Sequence, residues 1–284
     1  RDYSKFYSKI LIFDLVERYN FSVHRFLNKT YYSHINFFKK ILISSHGNIC
    51  TTPKFIELSE RNNTPCVFCP SFSPYTIINV KNDNEIFNSN NNICFMGSAS
   101  PRELSLTMIY AFYLAYKVNN NLRFIIIGKQ KKNLINAFHQ LVLKLSYSLF
   151  SWIKIYGQIS EEKKSEIFKN VNCFILLREK NIETMHSFPT RIAEYVYTGI
   201  PIIVSDVEPL KSTLQEYQNV FFTKNNSQSI SKIILKIFQN KNIYETKYFR
   251  NKGKKYCNEV FGQKKLAIKI DDMIKRIRVN FEHN

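Results

Sequence analysis

The sequence predicts an α/β protein built on an open, doubly wound parallel sheet, and three observations predict it. The first is rhythm: apolar runs near 93–96, 123–127, 152–156, 172–177, 201–205 and 219–223 alternate with helical patterns near 102–117, 132–148, 161–169, 189–198, 207–215 and 227–239. Strand, helix, strand at this spacing means parallel crossovers with helices on both faces. The second is the character of the runs, since Ile202-Ile203-Val204 is apolar without alternation, as suits a strand covered on both sides. The third is the way strands end: Met96-Gly97, Ile127-Gly128 and Tyr156-Gly157 each finish on glycine, so that one sheet edge is open to close backbone approach.

Taken in order, the chain opens with a strand over 8–13 that ends at Asp14, followed by an aromatic and basic helical region to about Lys40. Ile49-Cys50 and Cys66 to Cys69 read as two short strands, with Pro53 to Glu60 as the helix between them. This front part, residues 1–91, is an incomplete lobe, because doubly wound sheets carry about five or six strands. Polar, Asn-rich sequence from Ser71 to Asn92 marks the boundary with a second lobe at 92–262. Ile243 to Asn284 reads as two further helices with basic faces.

With 284 residues and 44% hydrophobic content the chain has material for two lobes and a sizeable core. No apolar run approaches the ~18 residues that span a bilayer. The chain starts at Arg1 and runs almost directly into Ile10-Leu11-Ile12-Phe13, so an upstream segment is expected. The six cysteines lie in or beside apolar runs, as reduced buried thiols do, and point to a cytoplasmic setting. Cys66-Val-Phe-Cys69 has no second pair at zinc-ribbon spacing, so no metal is expected there.

The net charge of +19 favours a polyanionic partner. An anionic membrane face is preferred to nucleic acid, because the chain has no arginine-rich arm, zinc-finger spacing or RNA-binding aromatic signature. Lys, Asn, Ile, Phe and Tyr are abundant together, and a shared A/T-rich codon bias is the competing, bland reading.

Chemistry is expected at the open edge, where helix N-termini and strand C-termini bind phosphates. Phe95-Met-Gly97-Ser98-Ala-Ser-Pro-Arg102 leaves a strand through small residues and enters a helix with an arginine suited to a diphosphate. A cap beside a solvated arginine is the competing reading. Gly128, Lys129 and Tyr156 open the same edge. From His186 the chain reads as a loop, a helix starting at Pro189, a left-handed stop at Gly199, and a strand ending at Asp206. Glu194 on that helix is placed to accept two hydrogen bonds from a ribose diol. A surface glutamate or a salt bridge to Arg191 is the alternative, and His186 alone reads as a capping or packing residue.

Ser187-Phe188-Pro189-Thr190-Arg191-Ile-Ala-Glu194-Tyr-Val-Tyr-Thr-Gly199-Ile-Pro201-Ile-Ile-Val-Ser-Asp206 resembles the nucleotide-sugar signature of glycosyltransferase family 4, in its SFPTK-type branch. Gly97 to Arg102, Ile125 to Lys129 and Ile155 to Gly157 resemble that family's phosphate loop and next two strand ends, and Lys9 to Asp14 and Gly47 to Lys54 the closing segments of its amino-terminal lobe.

The resemblance implies a GT-B fold of two Rossmann-like lobes, with residues 263–284 as a helix crossing back to the first. It also implies a donor site formed by Gly97, Ser98, Arg102, Gly128, Lys129, Tyr156, Ser187, Phe188, Pro189, Thr190, Arg191 and Glu194. Arg102 would meet the diphosphate and Glu194 the ribose. His186 stands where the family usually has a glutamate that contacts the donor sugar, and it joins Arg102 as a catalytic candidate. The family's front segment, with its glycine-rich acceptor loop, has no counterpart in this sequence.

The activity implied is transfer of a sugar from a UDP- or GDP-type donor to a cell-envelope glycan or lipid-linked acceptor. Retention of configuration is expected, with no metal or other cofactor, at the inner face of the membrane. An epimerase or phosphorylase on the same fold and a noncatalytic nucleotide-binding module are the alternatives.

Overall fold

The computed structural model describes residues 10–17, 40, 44–71, 91–97, 103, 105–128, 153–244 and 246–282. In chain order the named elements are β1 (Ile12–Leu15), β2 (Gly47–Cys50), α1 (Pro53–Arg61), β3 (Cys66–Phe68), β4 (Asn91–Met96), α2 (Ser105–Tyr116), β5 (Leu122–Ile127), β6 (Ile153–Tyr156), α3 (Glu161–Phe168) and β7 (Cys173–Leu176). There follow α4 (Ile182–Met185), α5 (Arg191–Thr198), β8 (Ile202–Ser205), α6 (Leu210–Leu214), β9 (Val220–Thr223), α7 (Ser227–Gln239), α8 (Lys241–Tyr244), α9 (Lys247–Val260) and α10 (Gln263–Glu282).

The chain divides into two compact units. One comprises Arg1–Ser73, Lys180–Thr190 and Asn258–Asn284; the other comprises Pro74–Glu179 and Arg191–Cys257. In the first unit β1, β2 and β3 pair side by side, all parallel. The period-two alternation of a strand sorts their side chains between two covers. Phe13, Leu15, Cys50 and Cys66 pack with Phe55, Ile56 and Leu58 of α1, whereas Ile12, Ile49 and Val67 pack with Ile270, Met273 and Ile277 of α10. Gly47 lets α10 approach at this second contact, where a Cβ would meet the end of the Ile277 side chain. Pro53 opens α1, where its missing N–H costs nothing.

In the second unit six described strands form one parallel sheet in the order β6-β5-β4-β7-β8-β9. Read in sequence order, that is the 3-2-1-4-5-6 arrangement of dinucleotide-binding sheets, whose connections reverse direction between the first and fourth strands. The reversal here lies between β4 and β7. Both are wholly or nearly wholly buried, with Ile93, Cys94, Cys173 and Phe174 at 0% exposure. Tyr195 of α5 stacks on Phe174 with ring centroids 4.2 Å apart, and fixes the helix against the middle of the sheet.

Several boundaries differ from the sequence expectation. The first strand is Ile12–Leu15 rather than 8–13, so Asp14 lies inside it. The helix expected from Pro189 begins at Arg191, because proline's fixed φ suits the extended residues just before a helix as well as its first turn. The tail holds a short extra helix, α8, before α9 and α10, where two helices were expected. The expected helix over 132–148 and most of the helical region before Lys40 lie outside the described residues. Gly199, at φ 70°, is the left-handed stop of α5.

The six cysteines are thiols, not joined in disulfides. Burial pushes the Cys50 thiol up to about 12 and the Cys69 thiol up to about 11, so both stay protonated at neutral pH. Among the described residues no cluster of His, Cys, Asp and Glu is arranged to hold a metal ion, and no helix is long and apolar enough to cross a membrane.

Candidate functional site

The carboxyl edge of the second unit's sheet is drawn together at the end of β4. Gly97 donates its N–H to the Ile127 carbonyl at 2.7 Å, and Gly128 donates to the carbonyls of Tyr156 and Gly157, each at 3.1 Å. A Cβ on Gly128 would lie 2.7 Å from the Gly97 carbonyl oxygen, and Gly128 has φ 126°, so both space and backbone require glycine. Gly97 is hemmed in differently: a Cβ there would overlap the guanidinium of Arg191.

Helix α5 clamps this strand end with two residues one turn apart. The Met96 N–H donates to the Tyr195 hydroxyl oxygen at 2.9 Å. Arg191 donates to the Met96 carbonyl and to Glu103, lies 5.7 Å over the Phe95 ring, and forms an ion pair with Glu103, whose side chain is 5% exposed. Removing one partner of such a buried pair is costly, since the other charge is left without compensation. Tyr195 is wholly buried, and that burial pushes its phenol far up, so it remains a neutral hydroxyl.

Glu194 sits beside these two residues on α5. Its partner is not Arg191, as one sequence alternative had it, but Lys164 of α3: the ammonium lies 2.9 Å from Glu194 and 2.6 Å from Glu161. Glu103, Lys164 and Tyr195 were not among the sequence candidates. Glu161-Glu-Lys-Lys164 looks like a solvated helix turn, and nothing local in it announces a partner on α5.

On the β7 side of the switch point, Ser205 at the end of β8 accepts the Arg178 N–H at 2.8 Å and donates to Asn225 at 2.5 Å, while Asn225 donates to the Arg178 carbonyl at 2.9 Å. These bonds fasten the ends of β7, β8 and β9 together. Asp206 just beyond is exposed and pairs with Lys211 at 3.0 Å.

The remaining candidates on the signature belong to the first unit. His186 is buried, with Nδ1 2.8 Å from the Ile182 carbonyl and its ring against Phe55 at 5.1 Å. Phe188 packs on Phe261 at 5.8 Å, Ser187 and Pro189 are buried, and Thr190 is exposed. Tyr156 is half-buried, with Lys154 over its ring at 5.5 Å. Ser98, Arg102 and Lys129 lie outside the described residues.

A parallel sheet with this switch point and glycine-ended strands defines the class of doubly wound α/β folds. The narrower class follows from comparison. Residues 77–256 match the model of the glycosyl transferases group 1 family, so the chain belongs to that family. No curated protein matches in sequence. Among solved structures, HepE of Anabaena, crystallised with UDP, is 15% identical at a TM-score of 0.71, over 96% of this chain and 74% of its own. The sucrose-phosphate synthase of Thermosynechococcus elongatus is 14% identical at a TM-score of 0.66, over 88% of this chain; the chain spans only 62% of that protein. TarM of S. aureus is 12% identical at a TM-score of 0.68, over 92% of this chain and 50% of its own. The fold is that of the GT-B glycosyltransferases.

Proposed function

We propose that the chain is a nucleotide-sugar-dependent glycosyltransferase whose donor binds at the carboxyl edge of the second unit's sheet. The observation that carries this reading is the switch point itself. β4 and β7 part there, Gly97 and Gly128 let the strand ends draw close, and α5, which is fastened to the end of β4 through Arg191 and Tyr195, also carries Glu194. Open α/β sheets bind nucleotides in such crevices. Family membership and the UDP named with HepE support a nucleoside diphosphate as the bound half of the donor.

In this reading Glu194 takes the ribose diol, Arg102 and nearby amides hold the diphosphate and stabilise the charge that develops as it departs, and Ser187 to Thr190 approach the phosphate or sugar. His186 contributes at the donor sugar. The acceptor is a cell-envelope glycan or lipid-linked sugar, the transfer retains configuration, and the protein works at the inner face of the membrane, held there by its net charge of +19. Binding to anionic vesicles should then fall steeply as salt is raised. Vesicle binding indifferent to ionic strength would remove the membrane from the proposal.

The test is thermal stability with UDP, GDP, ADP and CMP in turn. A nucleotide at a hundred times its dissociation constant stabilises the native state by about 2.7 kcal/mol, which is plainly visible as a raised midpoint. A shift with one nucleoside diphosphate is the expected result and would name the base. No shift with any of the four would leave the donor site without support. A second reading, a noncatalytic nucleotide-binding module, is favoured by His186, which is buried and bonded to its own helix at the position where the resemblance expects a donor-contacting glutamate. Nucleotide binding with no turnover of any nucleotide sugar would select it.

A further inference from the structure

Lys164 is a lysine in an unusual position. Its side chain is 10% exposed, and its ammonium lies 2.6 Å from one Glu161 oxygen and 2.9 Å from one Glu194 oxygen. The Glu161 pair is local, three residues apart on α3, and Glu161 is 61% exposed. Pairs of that kind form on the helix surface and contribute only a few tenths of a kcal/mol, so they give a lysine no reason to leave water. The Glu194 pair is different. It joins two helices, and Glu194 is itself only 18% exposed.

We propose that Lys164 is the positioning residue for Glu194, holding its carboxylate in one rotamer so that it accepts both hydroxyls of a donor ribose. This rests on the donor-site reading above. The requirement is geometric. Two adjacent hydroxyls need acceptor lone pairs held in one place, whereas an unrestrained glutamate turns among several rotamers. The ammonium holds one carboxylate oxygen, which is itself buried, and leaves the other oxygen for the diol. Lys164 is suited to the task because it stays charged: burial depresses its pKa, but the hydrogen bonds and charges of Glu161 and Glu194 outweigh burial and leave it raised. Arg191, the other cation on the same side of α5, is committed to Met96 and Glu103.

The test compares ribose with deoxyribose. Dissociation constants for UDP and 2′-deoxy-UDP, or for GDP and 2′-deoxy-GDP if guanine is the base that binds, are measured by calorimetry on the full chain. The proteins compared are the unaltered chain, Lys164→Met, Lys164→Gln, Lys164→Arg and Glu194→Ala. The unaltered protein should prefer the ribonucleotide by roughly ten-fold or more, as expected for a hydrogen bond to a charged group.

Lys164→Met and Lys164→Gln should bring that preference to within about two-fold by weakening the ribonucleotide alone, and Lys164→Arg should keep most of it. A merely structural lysine would weaken both nucleotides together and leave the ratio untouched, and that result would overturn the proposal. Should Lys164→Met fold poorly, the near-isosteric Gln variant carries the same comparison. If Glu194→Ala abolishes the preference while both Lys164 variants retain it, Glu194 meets the ribose unaided and the lysine has no role in it. If Glu194→Ala also retains it, the ribose assignment of the donor site falls together with the proposal.

Discussion

Gly253→Ala is expected to lower the melting temperature, although helix propensity alone argues the other way. Gly253 lies inside α9, and alanine in a helix interior is favoured over glycine by about 1 kcal/mol. The position has no room for the gain. A Cβ there would overlap the Val196 carbonyl oxygen and stand 2.7 Å from the Gly199 Cα and 2.9 Å from its N, all of them backbone atoms that cannot rotate away. Gly199 faces the same crowding from its side, meeting Arg250 and Phe249 backbone at φ 70°. The C-terminal end of α5 and the middle of α9 therefore touch backbone to backbone.

Separating them disturbs Val196, Cys257 and Tyr195 around the contact, and overpacking of this kind costs about 1–3 kcal/mol or more. The clash outweighs propensity, and a net loss of about 2 kcal/mol should lower the midpoint by roughly 4–8 °C in a unit of this size. Gly253→Val should be worse. Gly157→Ala is the control, since nothing lies within 4 Å of its added Cβ. Calorimetry in which Gly253→Ala melts at or above the parent temperature would show that α5 and α9 are not held this close.

Glu194→Ala is the second large effect, expected above all in binding. In the proposed site its carboxylate accepts from two ribose hydroxyls, and hydrogen bonds to a charged group contribute about 1.5–3 kcal/mol each. Losing both should weaken nucleoside diphosphate binding by roughly 100-fold or more. Stability should fall as well, because the mutation leaves the largely buried Lys164 ammonium with the exposed Glu161 carboxylate at 2.6 Å as its partner, so binding is measured below the variant's melting temperature. Titration calorimetry decides: affinity within about three-fold of the parent would remove Glu194 from the donor site.

The second unit's strands were legible because their chemistry is local. Ile125 to Ile127 and Ile202 to Val204 are apolar on consecutive residues, a pattern that suits only strands covered twice, and both are strands in that sheet. The glycines at 97 and 128 were legible for the same reason, although the atoms that crowd them were not. Strand order is invisible to periodicity. That β4 lies between β5 and β7 follows from where crossovers travel, and no local residue records it.

The site was least legible where its partners are distant in sequence. Arg191 and Glu103 are 88 residues apart, so nothing in the sequence announces that the Arg191 guanidinium fastens the end of β4. The alternative reading of Glu194 paired it with Arg191, and the partner it has in the structure sits on another helix. Such pairs are selected by the fold, and a helix turn of Glu and Lys looks the same whether one lysine is buried or all are solvated.

The first unit takes its residues from three separate stretches, and its strand residue Val67 packs against Met273 and Ile277 of α10. Synthesis on the ribosome proceeds in one direction, and domains generally fold as they emerge, amino-terminal first. Here that order is inverted. β1 to β3 leave the exit tunnel early with one face of their sheet bare, and must wait for α10. Every residue of the second unit has by then been made, because it ends at Cys257. This sheet is thus translated before the second unit and finished after it. During that interval Ile12, Ile49 and Val67 are the surface a chaperone would have reason to hold.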